Sequence, residues 1–179
     1  REPYRIEGKK TLGLELALQF GWSLPDAIIY PAGGGTGLIG MHLAFAQLLQ
    51  AGWLTGTPPR FFAVQSTGCA PLVKAMDLGT DHCDPWPEPW TVASGLRVPA
   101  PLGDRLMLRA LRESRGGALA IDDAELTATA DEVARREGVS VAPEGGAALA
   151  AAHRLREQGV LSPDDKVVVF NTGAGWLYQ

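Results

Sequence analysis

The stretch that most constrains the fold is "AIIYPAGGGTGLIGMHLAFAQLLQAG", residues 27–52. A short apolar run enters a glycine-rich turn. Leu38, Met41, Phe45, Leu48 and Leu49 then recur near helical spacing, and Gly52 supplies a stop. A strand that feeds a helix through so short a turn needs that helix to fold back over a sheet. This commits the chain to a layered α/β architecture.

The rest of the chain repeats the alternation. A helix over 11–20 is closed by Gly21, and strands are predicted at 27–30, 60–65 ("RFFAVQ"), 117–121 and 166–170 ("KVVVF"). Helices are predicted over 37–51, 69–78, 102–114, from the cap Asp122 to Glu137 with Glu125 as capping-box partner, and over 144–158. Residues 81–101 are proline-rich and read as an ordered, irregular excursion. The strands are apolar on both faces, which marks an open, mostly parallel sheet covered by helices on both sides. The opening "REPYRIEGKK" carries no strand of its own and reads as the end of something that begins upstream.

Composition excludes several classes. The chain has 179 residues, 46% hydrophobic and 20% charged, with a net charge of −4. That describes a globular chain without the basic excess of a nucleic-acid binder. No apolar run approaches the about 18 residues of a membrane helix. Cys69 and Cys83 are too few for a disulfide scaffold, and they lack the paired spacing of a zinc site. His82-Cys83-Asp84 is a weak ligand pattern, so no metal is assigned. The default is a reduced, cytoplasmic protein.

The glycine turn admits several ligands. A strand, a glycine-rich loop and a helix N-terminus together make an anion site, with amides and the helix dipole directed at negative charge. A P-loop requires Gly-Lys-Ser/Thr, but Gly37 is followed by Leu38 and Ile39. "GTGLIG" at 35–40 fits the dinucleotide fingerprint, which also needs an acid at the end of the next strand. That strand ends at Gln65-Ser66-Thr67, and no Asp or Glu occurs from Ala27 to Met76. A tight turn without any ligand remains open. So does a single phosphate, for which the loop offers several amides, the Thr36 hydroxyl and no repelling carboxylate. Pyridoxal phosphate carries one such phosphate and suits an α/β crevice.

A second glycine-rich segment, "FNTGAG" at 170–175, follows the last strand and falls on the same sheet edge. Thr172 offers a neutral hydroxyl to a pyridine nitrogen, where an Asp would enforce protonation. A neutral partner steers such a cofactor away from transamination and toward elimination or replacement.

The residues together resemble the C-terminal half of threonine synthase, a fold-type II pyridoxal-phosphate enzyme. The matching stretches are "EPYRIEGKKT" at 2–11, "GGGTGLIGM" at 33–41, "GCAPLV" at 68–73, "VASGLRVP" at 92–99, "LGD" and "LRALRES" within 102–114, "PEGGAAL" at 143–149 and "VVVFNTGAG" at 167–175. The resemblance implies a fold like that of the tryptophan synthase β-subunit. It implies that Gly33, Gly34, Gly35, Thr36 and Gly37 cradle the cofactor phosphate and that Thr172 binds the ring nitrogen. It implies that Arg5 helps hold the phosphate of O-phosphohomoserine and that Ser94-Gly95 lines the ring. The implied reaction eliminates phosphate from the γ-carbon and adds water at the β-carbon, giving L-threonine. Glu144 is assigned no role beyond favouring its helix dipole.

Ala174 and Gly146 depart from the residues usual in the family. A larger departure concerns the Schiff-base lysine, which such enzymes carry in a Ser-Phe-Lys-like motif of the N-terminal half. Only Lys9, Lys10, Lys74 and Lys166 are present, none in such a motif, and Lys9 and Lys10 read as surface charge. No catalytic residue is therefore assigned. Residues 1–179 are expected to be the C-terminal portion of a larger catalytic domain, inactive alone, that forms a homodimer or needs its own upstream half. A threonine or serine dehydratase-like enzyme and a non-catalytic half-molecule that binds a partner stay open beside this reading.

Overall fold

Four parallel strands form one sheet in the order β3-β2-β1-β4. They are β1 (Ala27–Pro31), β2 (Arg60–Ser66), β3 (Gly117–Ile121) and β4 (Val167–Val169). Ala27 pairs with Arg60 on one side and with Val167 on the other. The computed structural model describes residues 3–178. Among these residues six helices cover the sheet: α1 (Tyr4–Gln19), α2 (Thr36–Gln50), α3 (Pro71–Asp77), α4 (Asp104–Glu113), α5 (Asp123–Glu137) and α6 (Pro143–Glu157).

Each strand divides its apolar residues by parity, as the two-residue period of a strand requires. Ile28, Phe61 and Ala63 enter a core with Leu16, Leu38, Phe45, Leu72 and Met107 from α1 to α4. Ala27, Ile29, Phe62 and Val64 enter a second core with Leu126, Ala147, Ala151 and Leu155 from α5 and α6. Both faces of β1 and β2 are buried, so these strands read as continuous apolar runs rather than alternating ones, while the edge strands β3 and β4 are half-buried.

α1 extends further than the sequence pattern predicts. It begins at Tyr4, so most of the opening segment is helical, where the sequence pattern places a helix only from Thr11. Its first two turns contain Gly8, an exposed Tyr4 and one aliphatic side chain, Ile6, so they carry no stripe. They are held instead by close packing on α2. A Cβ at Gly40 would lie 2.6 Å from the Lys9 carbonyl carbon, and a Cβ at Gly13 would lie 2.8 Å from the Ala44 Cβ. Both contacts share one offset of 31 positions, so α1 and α2 run parallel. Glu2, at the head of the "EPYRIEGKKT" stretch, lies outside the described residues.

Two further expectations need correcting. Lys10 is not surface charge: its side chain is only 13% exposed and its ammonium pairs with Glu7 at 2.7 Å. The capping box at α5 forms by half. Asp122 accepts a hydrogen bond from the Glu125 amide at 2.9 Å, but the Glu125 carboxylate turns to Arg154. The irregular excursion is as predicted, with one short 3-10 turn at Ser94–Leu96. No helix among the described residues is long and apolar enough to cross a membrane.

Candidate functional site

β1 and β4 are neighbours, so the loops that leave their C-terminal ends are neighbours too. β1 runs into Gly33–Gly37, and β4 runs into Asn171–Gly175. The sheet edge thus brings together the two glycine-rich segments, 138 positions apart from Gly34 to Thr172.

The glycines of the first loop differ in what they require. Gly33 is buried, and a Cβ there would collide with the Gly95 carbonyl and lie 2.9 Å from a Val98 methyl. Gly35 caps α2 in the left-handed region at φ 69°, with Met107 against its α-carbon. Gly37 abuts the Tyr30 hydroxyl. Gly34 is exposed, with nothing within 4 Å of its Cβ position. Three glycines are thus fixed by the protein's own atoms, and the fourth opens outward.

The start of α2 lacks any protein cap. Gly35 offers no side chain, and the first turn holds no acid. The first α2 amide with a backbone partner is Ile39, which donates to Gly35 O at 3.0 Å. The amides of Thr36, Gly37 and Leu38 precede it and have no intrahelical acceptor. Together with the helix dipole they form a donor cluster for an anion. Tyr30 adds a phenol beside it. Burial pushes that hydroxyl above its ordinary pKa, which keeps it a neutral donor.

Two carboxylates that the sequence reading passed over hold the neighbouring loop. Asp123, in the first turn of α5, accepts from Ser66 Oγ at 3.0 Å, Thr91 Oγ1 at 2.6 Å and Val92 N at 2.9 Å. Glu144, in the first turn of α6, is 3% exposed and accepts from Gly95 N at 2.7 Å. Its role is therefore not the helix dipole alone. Loop 91–95 is pinned at both ends, which brings the Gly95 carbonyl against Gly33. The second oxygen, Glu144 Oε2, is buried without a hydrogen-bond partner. Only Glu144's apolar neighbours in "PEGGAAL" hint in the sequence that it is buried.

Thr172 is exposed on the second loop of this edge. Its segment is fixed by Asn171 Oδ1 and Gly173 O, both accepting from Ala142 N at 3.3 and 3.1 Å. A short bridge joins Ala174 to Val141. Gly146 lets α6 approach α5, since a Cβ there would collide with Leu126 O. Its departure from alanine thus has a steric reason. Ser94 is exposed beside Gly95. Arg5 is exposed on the first turn of α1. One turn before the Lys9–Gly40 contact, the same offset of 31 sets Arg5 level with Thr36, at the height of the donor cluster.

The other groups singled out lie elsewhere. Cys69 is buried, Cys83 is half-buried, and both are free thiols. His82 lies 3.1 Å from Asp81 and 3.8 Å from Asp84. Among the described residues no His, Cys, Asp or Glu cluster has metal-ligand geometry. A surface concavity lined by Asp81, Arg105, Arg109, Arg112 and Glu113 is self-paired through Arg105–Asp81 and Arg109–Glu113.

Residues 1–173 match the family model described as pyridoxal-phosphate dependent enzyme. The chain belongs to this family. It is 35% identical over 171 residues to the threonine synthase of Methanosarcina acetivorans, covering 96% of this chain and 42% of that protein. It is 30% identical over 173 residues to the threonine synthase of Methanocaldococcus jannaschii, covering 97% and 42%. Among solved structures, the L-serine ammonia-lyase of the fungus Rhizomucor miehei superposes with a TM-score of 0.74 at 27% identity, covering 94% of this chain and 51% of that one. The chain spans less than half the length of these threonine synthases.

The family's cofactor is pyridoxal phosphate, and the edge fits it. The open face at Gly34, the uncapped amides of α2 and the absence of acid in that turn suit one phosphate group. Thr172 provides a neutral hydroxyl on the adjoining loop, with no acidic residue in its own segment.

Proposed function

We propose that this chain forms the cofactor-phosphate side of a threonine synthase-like lyase. The enzyme converts O-phospho-L-homoserine and water to L-threonine and phosphate. The reading is supported by the α1–α2 packing, whose offset, extended one turn beyond the Lys9–Gly40 contact, puts Arg5 in register with Thr36. A dehydratase acting on threonine or serine has no second phosphate to hold. Arg suits that task because its planar fork pairs two phosphate oxygens.

In this reading the amides of Gly33 to Gly37 and the Thr36 hydroxyl bind the cofactor phosphate. Thr172 contacts the ring nitrogen without forcing a proton onto it, and Arg5 anchors the substrate phosphate. Asp123 and Glu144 hold loop 91–95, so Ser94-Gly95 stays against the ring's position. Pyridoxal phosphate, when bound, supplies the electron sink for elimination and replacement. The amine that holds the cofactor covalently is assigned to sequence upstream of Arg1, because none of the four lysines here stands at this edge in a matching motif. The working enzyme is read as cytoplasmic and homodimeric, with residues 1–179 as part of its catalytic domain.

The test uses the protein as its host makes it. O-phospho-L-homoserine is supplied, and threonine and inorganic phosphate are measured, with L-threonine and L-serine deamination assayed in parallel. Arg5→Ala is expected to raise the KM for O-phosphohomoserine about tenfold or more, with partial recovery in Arg5→Lys. Deamination of threonine or serine without turnover of O-phosphohomoserine would replace this reading with the dehydratase one. That outcome has a precedent in the L-serine ammonia-lyase of the same fold.

A further inference from the structure

Glu144 is the one buried side chain among the described residues with an unpartnered polar atom. Its Oε1 takes the Gly95 amide at 2.7 Å. Gly95 turns its carbonyl onto Gly33, the first residue of the glycine cradle. The next residue on α6, Gly145, abuts the Asn171 side chain, one position before Thr172. The carboxyl therefore stands between the two loops that frame the cofactor edge. A buried carboxylate oxygen calls for a donor. Gly95 N is taken by Oε1, Ala142 N by Asn171 and Gly173, and no protein donor reaches Oε2.

We infer that Glu144 Oε2 accepts a hydrogen bond from an N–H that the bound ligand brings into the cleft, so that Glu144 is a positioning residue joining ligand to loop 91–95. The cofactor phosphate is held at the glycine cradle as a dianion, and the ring oxygen acts as an acceptor when ionised, so neither supplies an N–H. Two sources of an N–H remain: the amine of an amino-acid substrate, which is compatible with Thr172 donating to the ring nitrogen, and the ring nitrogen itself, which can donate to Glu144 only if it is protonated and the Thr172 contact proposed above is not made. Either one, once seated, ties Oε2 to the ligand while Oε1 keeps Gly95 in place. Binding would thereby stiffen the loop that packs on Gly33. The inference rests on the cofactor site and is independent of which amino acid is the substrate, since all candidates carry the amine.

The experiment compares Glu144→Gln with wild type in the full natural protein. The amide can keep its oxygen on Gly95 N, but it presents NH2 where Oε2 stood, so the latch survives and the acceptor does not. Three quantities are read: the melting temperature without ligand, the affinity for pyridoxal phosphate by absorbance titration, and the affinity of the loaded protein for L-threonine, L-serine and O-phosphohomoserine. The expected result is an unchanged melting temperature with about tenfold or greater loss of one affinity. Loss for the cofactor alone identifies the ring nitrogen, and loss for all three amino acids with normal cofactor uptake identifies the amine. Glu144→Ala, which also loses the latch, is expected to lower the melting temperature. Unchanged affinities throughout in Glu144→Gln would overturn the inference and leave Glu144 a structural latch. If wild-type protein takes up no pyridoxal phosphate, the assignment of the edge itself fails instead.

Discussion

Gly34 and Gly33 are adjacent, yet alanine at each is expected to act on different properties. At Gly34 the backbone is not in the left-handed region, and a Cβ would meet nothing within 4 Å. Alanine there is free of strain in the unliganded protein. Restricting the unfolded chain stabilises by about 0.4–1 kcal/mol, a rise of about 1–4 °C in Tm for a domain of this size. The new methyl does occupy the open face of the cradle, where it holds a phosphate away from the amides. Losing one hydrogen bond to a charged group costs about 1.5–3 kcal/mol, so pyridoxal phosphate affinity should fall roughly 10- to 150-fold. Gly33→Ala inverts the pattern. Its Cβ would collide with the Gly95 carbonyl and crowd Val98, and that overpacking is expected to cost about 2–3 kcal/mol. Calorimetry of the unliganded variants and an absorbance titration with the cofactor read the two effects separately. A Gly34→Ala protein that binds pyridoxal phosphate as tightly as wild type would refute the claim that this glycine faces the phosphate. So would one whose loss of affinity merely tracked a fall in stability.

Further outcomes follow from other contacts. Asp123→Ala strands the Ser66 and Thr91 hydroxyls and the Val92 amide. It is expected to lower stability by about 2–4 kcal/mol in urea titrations and to expose loop 91–95 to faster amide exchange. The Cys83 thiol is pushed up to about 11 by burial and by the charges of Asp104 and Asp84. Its folded pKa lies above its unfolded value of 9.0, so the stabilisation it contributes is full below pH 9 and lost as pH rises toward 11. Urea midpoints measured from pH 8 to 11 should fall more steeply for wild type than for Cys83→Ala. Burial raises Cys69 and Tyr30 in the same direction, so some alkaline loss will remain in that variant. Alanine at Gly146 is expected to destabilise by about 1–3 kcal/mol, because its Cβ would strike the α5 backbone at Leu126. A melting temperature equal to wild type would remove the steric account of this glycine.

Much of the fold was legible because the determining signals are local. "AIIY" and "RFFAVQ" announced buried strands, "KVVVF" announced a strand that is half-buried at the sheet's edge, and the apolar spacing of 38–49 announced α2. The cradle was legible for the same reason, since a glycine run between a strand and a helix is contiguous. Glu144 and Asp123 were not. Each sits in a first helical turn, where an acid has a sufficient explanation in the dipole, and each acts on a loop 49 or about 30 positions away. Lys10 was misread because exposure depends on how the folded chain covers a helix, and its side chain ends only 13% exposed beside Glu7.

The sequence alone thus determined the alternation of elements, the parallel sheet and the presence of two glycine-rich loops. These depend on side-chain period and on backbone freedom at single positions. Tertiary structure decided that β4 lies beside β1, which unites the two loops at one edge. It also decided which glycines are closed by protein and which is open, and that a buried carboxyl stands between the loops with one oxygen unpaired. Those facts depend on where chain segments far apart in sequence come to rest against each other, and strand order and helix packing set that.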